Sequence, residues 1–445
     1  MAQGTGWQPE LMIARTKSAI VFSTLLPSKH LTLICASFIR GKNLAAAYKN
    51  PLLFRSLEKD RISTMIKILI VGAGIAGLAL ARRLTNTNVK VTIIERDSHF
   101  PAGGAGICLP ANAVQQMRRL GLYDRLMNAS HTVNLIEFAK SNGATITTAS
   151  LGEPPLNIAE FVALPRQRLL ELLQYGMSNA VCFSSQVTKL SETEGGLWVH
   201  INHSSRHEFF DLVVAADGIH STTRQLSLKN SKPKNLGVTN WRFIAEHPER
   251  DAHPIYYLGN DDAFMVYPMG ATQSYCYAQI ADPLNQWRHL PAIATLQTLF
   301  GHYCAPVKNI LDSLSPATKC ITGTLESVSV SRCFEGRTVF IGDALHGCPP
   351  TLQQGVGMAL EDANLLADLI TRFPVDDALQ MFHEQRYPRV HWIVEESNRL
   401  VELANKGKTW PGRLIRNTLL RQNGPANVAA WRRILSDSVH PELDF

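Results

Sequence analysis

Short runs of apolar residues that end at a glycine or an acid alternate along this chain with stretches that favour helices. The first run, 66–71, leads into a glycine-rich turn, and the second, 89–94, ends at Glu95. Unbroken apolar runs of four to seven residues are typical of strands that are covered on both faces of a parallel sheet. Their alternation with helices predicts an open parallel sheet with helices on both faces, which is an α/β fold.

The pattern changes between residues 235 and 321, where aromatic and β-branched residues dominate. Such residues favour the half-buried surface of a sheet. We predict strands at 241–244, 254–258, 263–268 and 273–280. Further along, helices are predicted at 361–371 and 376–403, and Pro388 is expected to interrupt the second helix.

The first glycine-rich turn has the spacing of a dinucleotide-binding motif. Gly72 permits a tight turn, Gly74 lets the backbone approach a pyrophosphate, and Gly77 allows close packing of helix on sheet. The helix N-terminus that follows offers free N–H groups to phosphate charge. Glu95, at the end of the second strand, can accept hydrogen bonds from a ribose diol. Strand, glycines, helix, strand and acid together predict a bound dinucleotide, either NAD or FAD.

Two later segments have a similar form. In the first, an apolar run leads into Asp217-Gly218. In the second, an apolar run leads into Gly342-Asp343, followed by a proline-rich turn and a helix that begins at Gly355.

Together the three segments resemble the signatures of the single-component FAD-dependent aromatic hydroxylases, the para-hydroxybenzoate hydroxylase-like flavin monooxygenases. The resemblance extends over about residues 65–400. It implies a Rossmann-like FAD-binding domain with an inserted, mostly antiparallel β-sheet substrate domain and C-terminal helices. We expect the following organisation: a leader at 1–64, the FAD-binding domain at 65–234 and 322–375, the substrate-binding sheet at 235–321, and C-terminal helices at 376–445.

The resemblance also implies roles for single residues. Asp343 matches the acid that binds the ribityl chain of FAD, and Asp217 belongs to the turn that serves FAD and the reduced nicotinamide. Arg166 is similar to the arginine beside the FAD phosphates, with Arg168 as a competing candidate. Gly104 and Gly106 match a loop alongside the flavin. The cofactor-binding residues expected on these grounds are Gly72, Ala73, Gly74, Ala76, Gly77, Glu95, Arg96, Gly106, Arg166, Val187, Asp217, Gly342, Asp343, Pro349, Gly355, Val356 and Gly357.

No dedicated catalytic base is evident from the sequence. His346 adjoins the flavin turn and an imidazole titrates near neutral pH, although a structural hydrogen bond would explain a histidine there as well. Arg242, Tyr257 and Tyr267 are predicted on the inserted sheet, where they can bind a phenol or a carboxylate or simply border the core. We take His346, Arg242 and Tyr267 as the catalytic candidates, and no metal site is predicted.

The function implied by the resemblance is aromatic hydroxylation. NADH or NADPH would reduce FAD, and oxygen would form a peroxyflavin that hydroxylates a small aromatic or other electron-rich substrate. Alternatives are a flavin oxidoreductase of the same fold that performs epoxidation, halogenation or reduction, a membrane-associated quinone-pathway hydroxylase, and a flavin-binding regulator without turnover.

Composition alters this picture only at the N-terminus. With 45% apolar and 18% charged residues among 445, the chain is neither disordered nor fibrous. Residues 1–64 hold nine Lys or Arg against three acids and so supply +6 of the net charge of +7. Nucleic-acid binding by the remainder is therefore not expected.

Residues 1–64 and the cysteines indicate where in the cell the protein is expected. Pro27 and Lys29 interrupt the apolar stretch at 19–39, so no integral membrane segment is predicted. Residues 1–64 are then a targeting segment, a poorly ordered leader or a dispensable extension. Eight scattered cysteines lack disulfide or zinc spacing, which favours reduced thiols in a cytoplasmic protein. A monomer or a homodimer is expected.

Overall fold

The structure is a computed structural model that describes residues 65–100, 105–178, 180–202, 207–246 and 253–436. The predictions for 1–64, for Gly104 and for 437–445 lie outside these residues.

The described strands are β1 (Ile66–Val71), β2 (Val89–Ile94), β3 (Gly106–Leu109), β4 (His131–Val133), β5 (Leu135–Lys140), β6 (Thr145–Ser150), β7 (Phe161–Pro165), β8 (Val181–Cys182), β9 (Val187–Thr193), β10 (Gly196–Ile201), β11 (His207–Phe210), β12 (Leu212–Ala215), β13 (Lys234–Glu246), β14 (Ile255–Leu258), β15 (Asp262–Pro268), β16 (Gln273–Ala281), β17 (Ile321–Ser327), β18 (Phe334–Glu335) and β19 (Thr338–Phe340).

The described α-helices are α1 (Ile75–Leu84), α2 (Ala111–Arg119), α3 (Tyr123–Ala129), α4 (Arg166–Gln174), α5 (Thr222–Ser227), α6 (Ala292–Phe300), α7 (Ala305–Ser313), α8 (Asp343–His346), α9 (Gly355–Arg372), α10 (Val375–Asn405), α11 (Trp410–Asn423) and α12 (Ala426–Ser436).

The predicted parallel sheet is present, with the strand order β18-β19-β12-β1-β2-β8. β1 pairs in parallel with β2 and with β12, and β12 pairs in parallel with β19, whereas β18 is an antiparallel edge. β12 is buried along its whole length, as its unbroken apolar run predicts. The predicted α/β fold class is therefore confirmed.

A second sheet, called here the insert sheet, has the order β17-β13-β16-β15-β14-β5-β6. All of its pairings are antiparallel except that between β14 and β5. The predicted span of 235–321 is incomplete, because β5 and β6 come from 135–150 and β17 extends to Ser327. Pairing between segments more than a hundred residues apart leaves no mark in the local sequence pattern of either one.

The two faces of the insert sheet are buried against different partners. Trp241, Phe243 and Phe264 are fully buried in a cluster with side chains of α6 and α7. Tyr256 and Tyr267 belong instead to the main core cluster, which includes α1 and α9. Alternation of side chains along each strand thus directs one set of residues away from the parallel sheet and the other set toward it.

The C-terminal helices follow the parallel sheet. α10 runs without interruption through Pro388, so the predicted break is absent. Pro388 and the residue four positions before it, Glu384, are both exposed, so the lost hydrogen bond and the displaced carbonyl face water. Within the described residues, no helix combines the length and the apolar character needed to cross a membrane.

Candidate functional site

The first side of the candidate site is the turn between β1 and α1. Gly72 has a φ of +107°, and a Cβ there would lie 2.4 Å from the carbonyl oxygen of Ala216. A Cβ on Gly77 would lie 2.0 Å from the Gly72 oxygen, so helix and turn are in direct backbone contact. A Cβ on Gly74, in contrast, would meet nothing within 4 Å. The turn is therefore closed toward the protein and open at Gly74, where space remains for a ligand.

Glu95 is held beside this turn. One carboxylate oxygen accepts a hydrogen bond from the Ala73 N–H at 2.8 Å, and the other accepts one from the Asp97 N–H at 3.0 Å. A carboxylate with fixed oxygens at the end of β2 is suited to receive the hydroxyl groups of a ribose. Arg96, also predicted to contact the cofactor, is exposed and lies 3.5 Å from Asp97.

The Gly342-Asp343 turn packs against the same helix. Gly342 has a φ of +58°, and a Cβ there would lie 2.8 Å from the Ala76 side chain. The Gly342 N–H donates to Asp362 at 2.9 Å. Asp343 is exposed, and its carboxylate is directed toward the start of α9, where a Cβ on Gly355 would lie 3.9 Å from it.

Two helix N-termini flank this space. α1 begins after Gly74 and α9 after Gln354, and neither has a side-chain cap or an acid in its first turn. Uncapped N–H groups and the positive end of the helix dipole favour an anionic ligand. The stretch Gly355, Val356 and Gly357 forms the first turn of α9, as predicted.

The acid of the Asp217-Gly218 turn is hydrogen-bonded within the protein. The Asp217 carboxylate accepts hydrogen bonds from the Thr223 N–H at 3.0 Å and the Thr223 hydroxyl at 2.9 Å, and it is also bonded to Ser221. These bonds fix the start of α5. Each oxygen of the carboxylate thus has a partner within the protein, and a contact of Asp217 with the cofactor stays a prediction.

Arg224 joins this turn to the Gly342-Asp343 turn. It is fully buried, and its guanidinium donates to the Ala344 carbonyl at 2.8 Å and to the Ile219 carbonyl at 2.7 Å. Arg224 was not assigned a role from the sequence, because a charged residue six positions after a polar turn is too common a pattern to indicate burial.

The charges of Asp343 and Arg242 both act on Arg166. Burial lowers the pKa of Arg166, the charge of Asp343 opposes this effect, and the charge of Arg242 lowers the pKa further. Arg168 points elsewhere, since it is exposed and pairs with Glu171 at 2.7 Å. Of the two competing arginines, Arg166 is the one that lies near Asp343.

The insert sheet contributes a patch of tyrosines. The hydroxyl groups of Tyr256 and Tyr267 are hydrogen-bonded to each other, and the Gln353 amide donates to each at 2.6 Å. Burial raises the pKa of both phenols well above the usual value, so both stay protonated. Tyr275 adjoins this patch, because it pairs with Tyr267 across β15 and β16. Its ring also packs on Gly106, where a Cβ would lie 2.4 Å from it.

Tyr257, predicted as a substrate contact, is directed to the opposite face and lies in the cluster with Phe264 and Phe300. Tyr256 is the tyrosine that lies beside Tyr267. It pairs with Met265 on β15, and Tyr267 lies two positions further along β15 on the same face, so the two tyrosines are diagonal neighbours. Adjacent residues of a strand point to opposite faces, so only the register shows which of two adjacent tyrosines shares a face with Tyr267.

Beneath α9 lies a cluster of buried charges. Arg386 donates to Glu361 and to Asp362, both at 2.8 Å, and Arg389 donates to Glu361 at 3.0 Å. Burial raises the pKa of Glu361, but Arg389 and Arg386 outweigh this effect and bring it to about 2. Asn112 donates to the same carboxylate at 2.8 Å and to Gln354 at 2.9 Å, which connects the cluster to the start of α9.

His346 belongs to this cluster. It is 1% exposed, and its Nε2 lies 2.7 Å from an Asp362 oxygen that also accepts from Gly342. Its Nδ1 is buried with no partner among the described atoms. The placement favours a structural role for His346 behind the Gly342-Asp343 turn over the catalytic role considered from sequence.

The remaining predicted positions are buried in the core. Val187 is buried against Leu69, Val71 and Ile94 of the parallel sheet. Ala73, Ala76 and Val356 are buried in the main core cluster, and Pro349 is buried as well.

These residues fit FAD. Its pyrophosphate requires helix N–H groups and an open backbone at Gly74, its ribose requires an acceptor such as Glu95, and its ribityl hydroxyls require an exposed acid such as Asp343. A flavin ring would then lie beside the start of α9 and the tyrosine face of the insert sheet.

Comparison with known proteins also indicates an FAD-binding protein. The family model for the FAD binding domain matches residues 65–397. The chain is 30% identical over 369 residues to the 2-heptyl-3-hydroxy-4(1H)-quinolone synthase of Pseudomonas aeruginosa, covering 80% of this chain and 93% of the relative. It is 27% identical over 381 residues to the aurachin C monooxygenase/isomerase of Stigmatella aurantiaca, covering 84% and 98%. Among solved structures, Klebsiella pneumoniae HpxO complexed with FAD and uric acid has a TM-score of 0.75 at 24% identity, covering 85% and 98%.

The chain therefore belongs to the FAD binding domain family, and within it to the single-component FAD-dependent aromatic hydroxylases. It is an FAD-dependent monooxygenase of that family, as the three glycine-containing segments predicted.

Proposed function

We propose that this protein hydroxylates a small aromatic or heteroaromatic substrate, using NADH or NADPH as the reductant and molecular oxygen as the source of the added atom. The observation that carries this proposal is that the chain has one surface suited to FAD and another suited to an aromatic substrate. One surface presents two uncapped helix starts and the exposed Asp343, and the other presents Arg242 with the tyrosines of the insert sheet.

When bound, FAD supplies the redox chemistry, taking reducing equivalents from the nicotinamide and activating oxygen. The chain supplies binding and orientation. The residues proposed to hold FAD are Gly74 and the α1 N-terminus at the pyrophosphate, Glu95 at the ribose, Asp343 at the ribityl chain, Arg166 beside the phosphates, and Gly355 to Gly357 at the ring. The start of α9 favours negative charge on the ring by roughly 0.3–1 kcal/mol.

Arg242 is the proposed substrate anchor. Its Nε is buried with no hydrogen-bond partner among the described residues, although a buried donor of this kind costs stability. It lies on β13, opposite Tyr277 in the register with β16. A half-buried guanidinium whose Nε has no partner among the described residues is suited to a substrate oxygen that carries negative charge or accepts hydrogen bonds strongly.

The tyrosine pair is proposed to shape the pocket and to orient the substrate. Because burial keeps both phenols protonated, Tyr256 and Tyr267 act as donors and acceptors of hydrogen bonds and not as bases. The relatives whose names identify an aromatic ring include a 2-heptyl-3-hydroxy-4(1H)-quinolone synthase, a 3-amino-4-hydroxybenzoate 2-monooxygenase and a urate hydroxylase. These names support an oxygen- or nitrogen-substituted ring as the substrate class.

The test is a screen of the FAD-loaded protein with quinolones, aminobenzoates, phenols and purines. NADH or NADPH oxidation should accelerate with a true substrate, and mass spectrometry should find a product that has gained one atom from isotopically labelled oxygen. Bleaching of the flavin by NAD(P)H without oxygen incorporation would favour reduction, and chloride-dependent incorporation of halogen would favour halogenation. A protein that binds FAD but is not reduced by either nicotinamide would contradict the proposal and favour the regulator.

Arg242→Met tests the substrate anchor. The variant should raise KM for the substrate by roughly 10- to 100-fold, the equivalent of one charged hydrogen bond, while FAD reduction without substrate is unchanged. Arg288→Met, at an exposed position of the same inserted segment, is the matched control and should leave KM unchanged.

A further inference from the structure

The charge of the described part of the chain is concentrated in its last helices. Residues 403–436 contain seven Lys or Arg and no Asp or Glu. Since residues 65–445 as a whole carry only +1, the rest of that region is net acidic. This basic segment lies beyond residue 397, where the match to the family model ends.

α11, in the middle of this segment, is a well-defined helix. Thr409 caps it, with its hydroxyl accepting from the Gly412 N–H at 3.3 Å, and Pro411 lies in its first turn. Gly424, with a φ of +70°, ends it. None of its residues is buried.

The apolar side chains of α11 are directed outward. Trp410 is 68% exposed, Leu414 56%, Ile415 60% and Leu419 48%. Helical geometry at 100° per residue places these four on one half of the helix circumference. In a helix that packs on a protein core, such a stripe normally faces inward.

Polar contacts hold α11 in this orientation. The Arg416 guanidinium donates to the Gly259 carbonyl at 2.8 Å, in the turn between β14 and β15. The Arg413 guanidinium donates to the carbonyls of Gly407 and Lys408, just before the helix, at 3.3 and 3.2 Å. The arginines therefore bind the protein through one half of the helix, while the apolar half faces solvent.

We propose that α11 docks on the surface of an anionic lipid bilayer, with Trp410, Leu414, Ile415 and Leu419 inserted at the level of the headgroups. Helices that lie in the plane of a membrane interface combine an apolar stripe containing Trp and Leu with surrounding basic residues, and they need no spanning segment. The charge complementarity is specific to negative lipids, because the segment that contains α11 carries basic residues and no acid. Exposed Arg421 lies on the outward half and would contact the headgroups directly.

The experiment is cosedimentation of the full-length, FAD-loaded protein with vesicles of equal parts phosphatidylglycerol and phosphatidylcholine, compared with vesicles of phosphatidylcholine alone. We expect binding to the anionic vesicles that falls as salt is raised. The combined variant Leu414→Ser, Ile415→Ser and Leu419→Ser should lose at least tenfold in partitioning. The matched control replaces three equally exposed leucines elsewhere, Leu226, Leu284 and Leu290, by serine and should bind as the wild type does.

A second measurement reports on the helix itself. Trp410→Phe should still bind, and the difference in emission between wild type and this variant should shift to shorter wavelength when anionic vesicles are added. Arg421→Gln should weaken binding by about fivefold. FAD absorbance and the melting temperature show whether each variant is folded.

Three results would overturn the proposal. One is the absence of binding to anionic vesicles at low salt. Another is equal binding by the serine variant and the wild type, which would assign any lipid contact to other residues, 1–64 included. The third is self-association without lipid that the serine variant abolishes, which would make a second copy of the chain the partner of α11.

Discussion

Two helices, α1 and α9, begin beside the proposed FAD site, and they are held in place by opposite means. The buried residues of α1 are Ala, Gly and Leu, and its first turn touches the backbone of Gly72 directly. α9 buries Glu361, Asp362 and Asn364 in addition to its apolar residues, and ion pairs from α10 neutralise its acids. A helix N-terminus can thus be directed at a cofactor either by close apolar packing or by a satisfied network of buried charges.

The largest effect is expected from Arg386→Met. Removing this guanidinium leaves Glu361 and Asp362 buried with fewer partners, which should lower the free energy of unfolding by about 3–5 kcal/mol. Urea denaturation of the FAD-free protein measures it. Arg399→Met, which breaks an exposed pair with Glu396, should cost less than about 1 kcal/mol. Similar losses in the two variants would show that the buried network does not hold α9.

Gly77→Ala tests the packing of α1. Its Cβ would lie 2.0 Å from the Gly72 oxygen, and the backbone has little room to yield, so we expect a loss of about 2–3 kcal/mol in stability. Gly74→Ala is the matched control, since its Cβ meets no atom within 4 Å. That variant should keep the stability of the FAD-free protein but bind FAD more weakly, as followed by flavin fluorescence. The reverse ranking of stabilities would contradict the geometry.

Lowering the pH should weaken the packing of α9 more than that of α1, because only α9 has buried carboxylates, among them those of Glu361 and Asp362. The folded-state pKa of Glu361 is about 2, below its ordinary value near 4.5, so its contribution to stability is complete above that value and is lost as pH falls. Between about pH 5 and pH 2 the loss from this group should be roughly 2–3 kcal/mol. Denaturant unfolding at a series of pH values measures it. Glu361→Gln, although less stable at neutral pH, should show a shallower decline, and parallel curves would argue against this assignment.

The smallest effect is expected where the insert sheet supports the start of α9. Tyr267→Phe removes the hydroxyl that accepts from Gln353, while Tyr256 still accepts from the same amide. We expect a loss of about 1 kcal/mol in unfolding experiments. Tyr175→Phe, at an exposed position, should change stability by less than about 0.5 kcal/mol.

A feature could be predicted from the sequence when the residues that form it are close together in the chain. The Gly72 turn, the parallel strands and the α9 start follow from contiguous residues, because strand burial and glycine geometry are properties of a few neighbours. The insert sheet was predicted only in its central part, since β5 and β6 join it from another part of the chain. The role of Tyr257 stayed open between substrate contact and core, because adjacent tyrosines can be told apart only from the register.

The site shows the same division. Glu95, Asp343 and Gly355 each follow a recognisable local pattern, and the resemblance singled out Arg166, whose pKa the charge of Asp343 raises in the folded chain. Arg224 and Asn112 have no local pattern, because their partners are 120 and 249 positions away in the chain.

From its sequence alone, this chain is recognisable as an FAD-dependent monooxygenase with a doubly covered parallel sheet, because backbone conformation and phosphate binding depend on short, ordered motifs. Only the tertiary structure decided that His346 serves a buried ion cluster, that the Nε of Arg242 is buried with no partner among the described residues, and that α11 faces outward with its apolar side. Burial, charge pairing and exposure are relations between distant segments, and they exist only once the chain has folded.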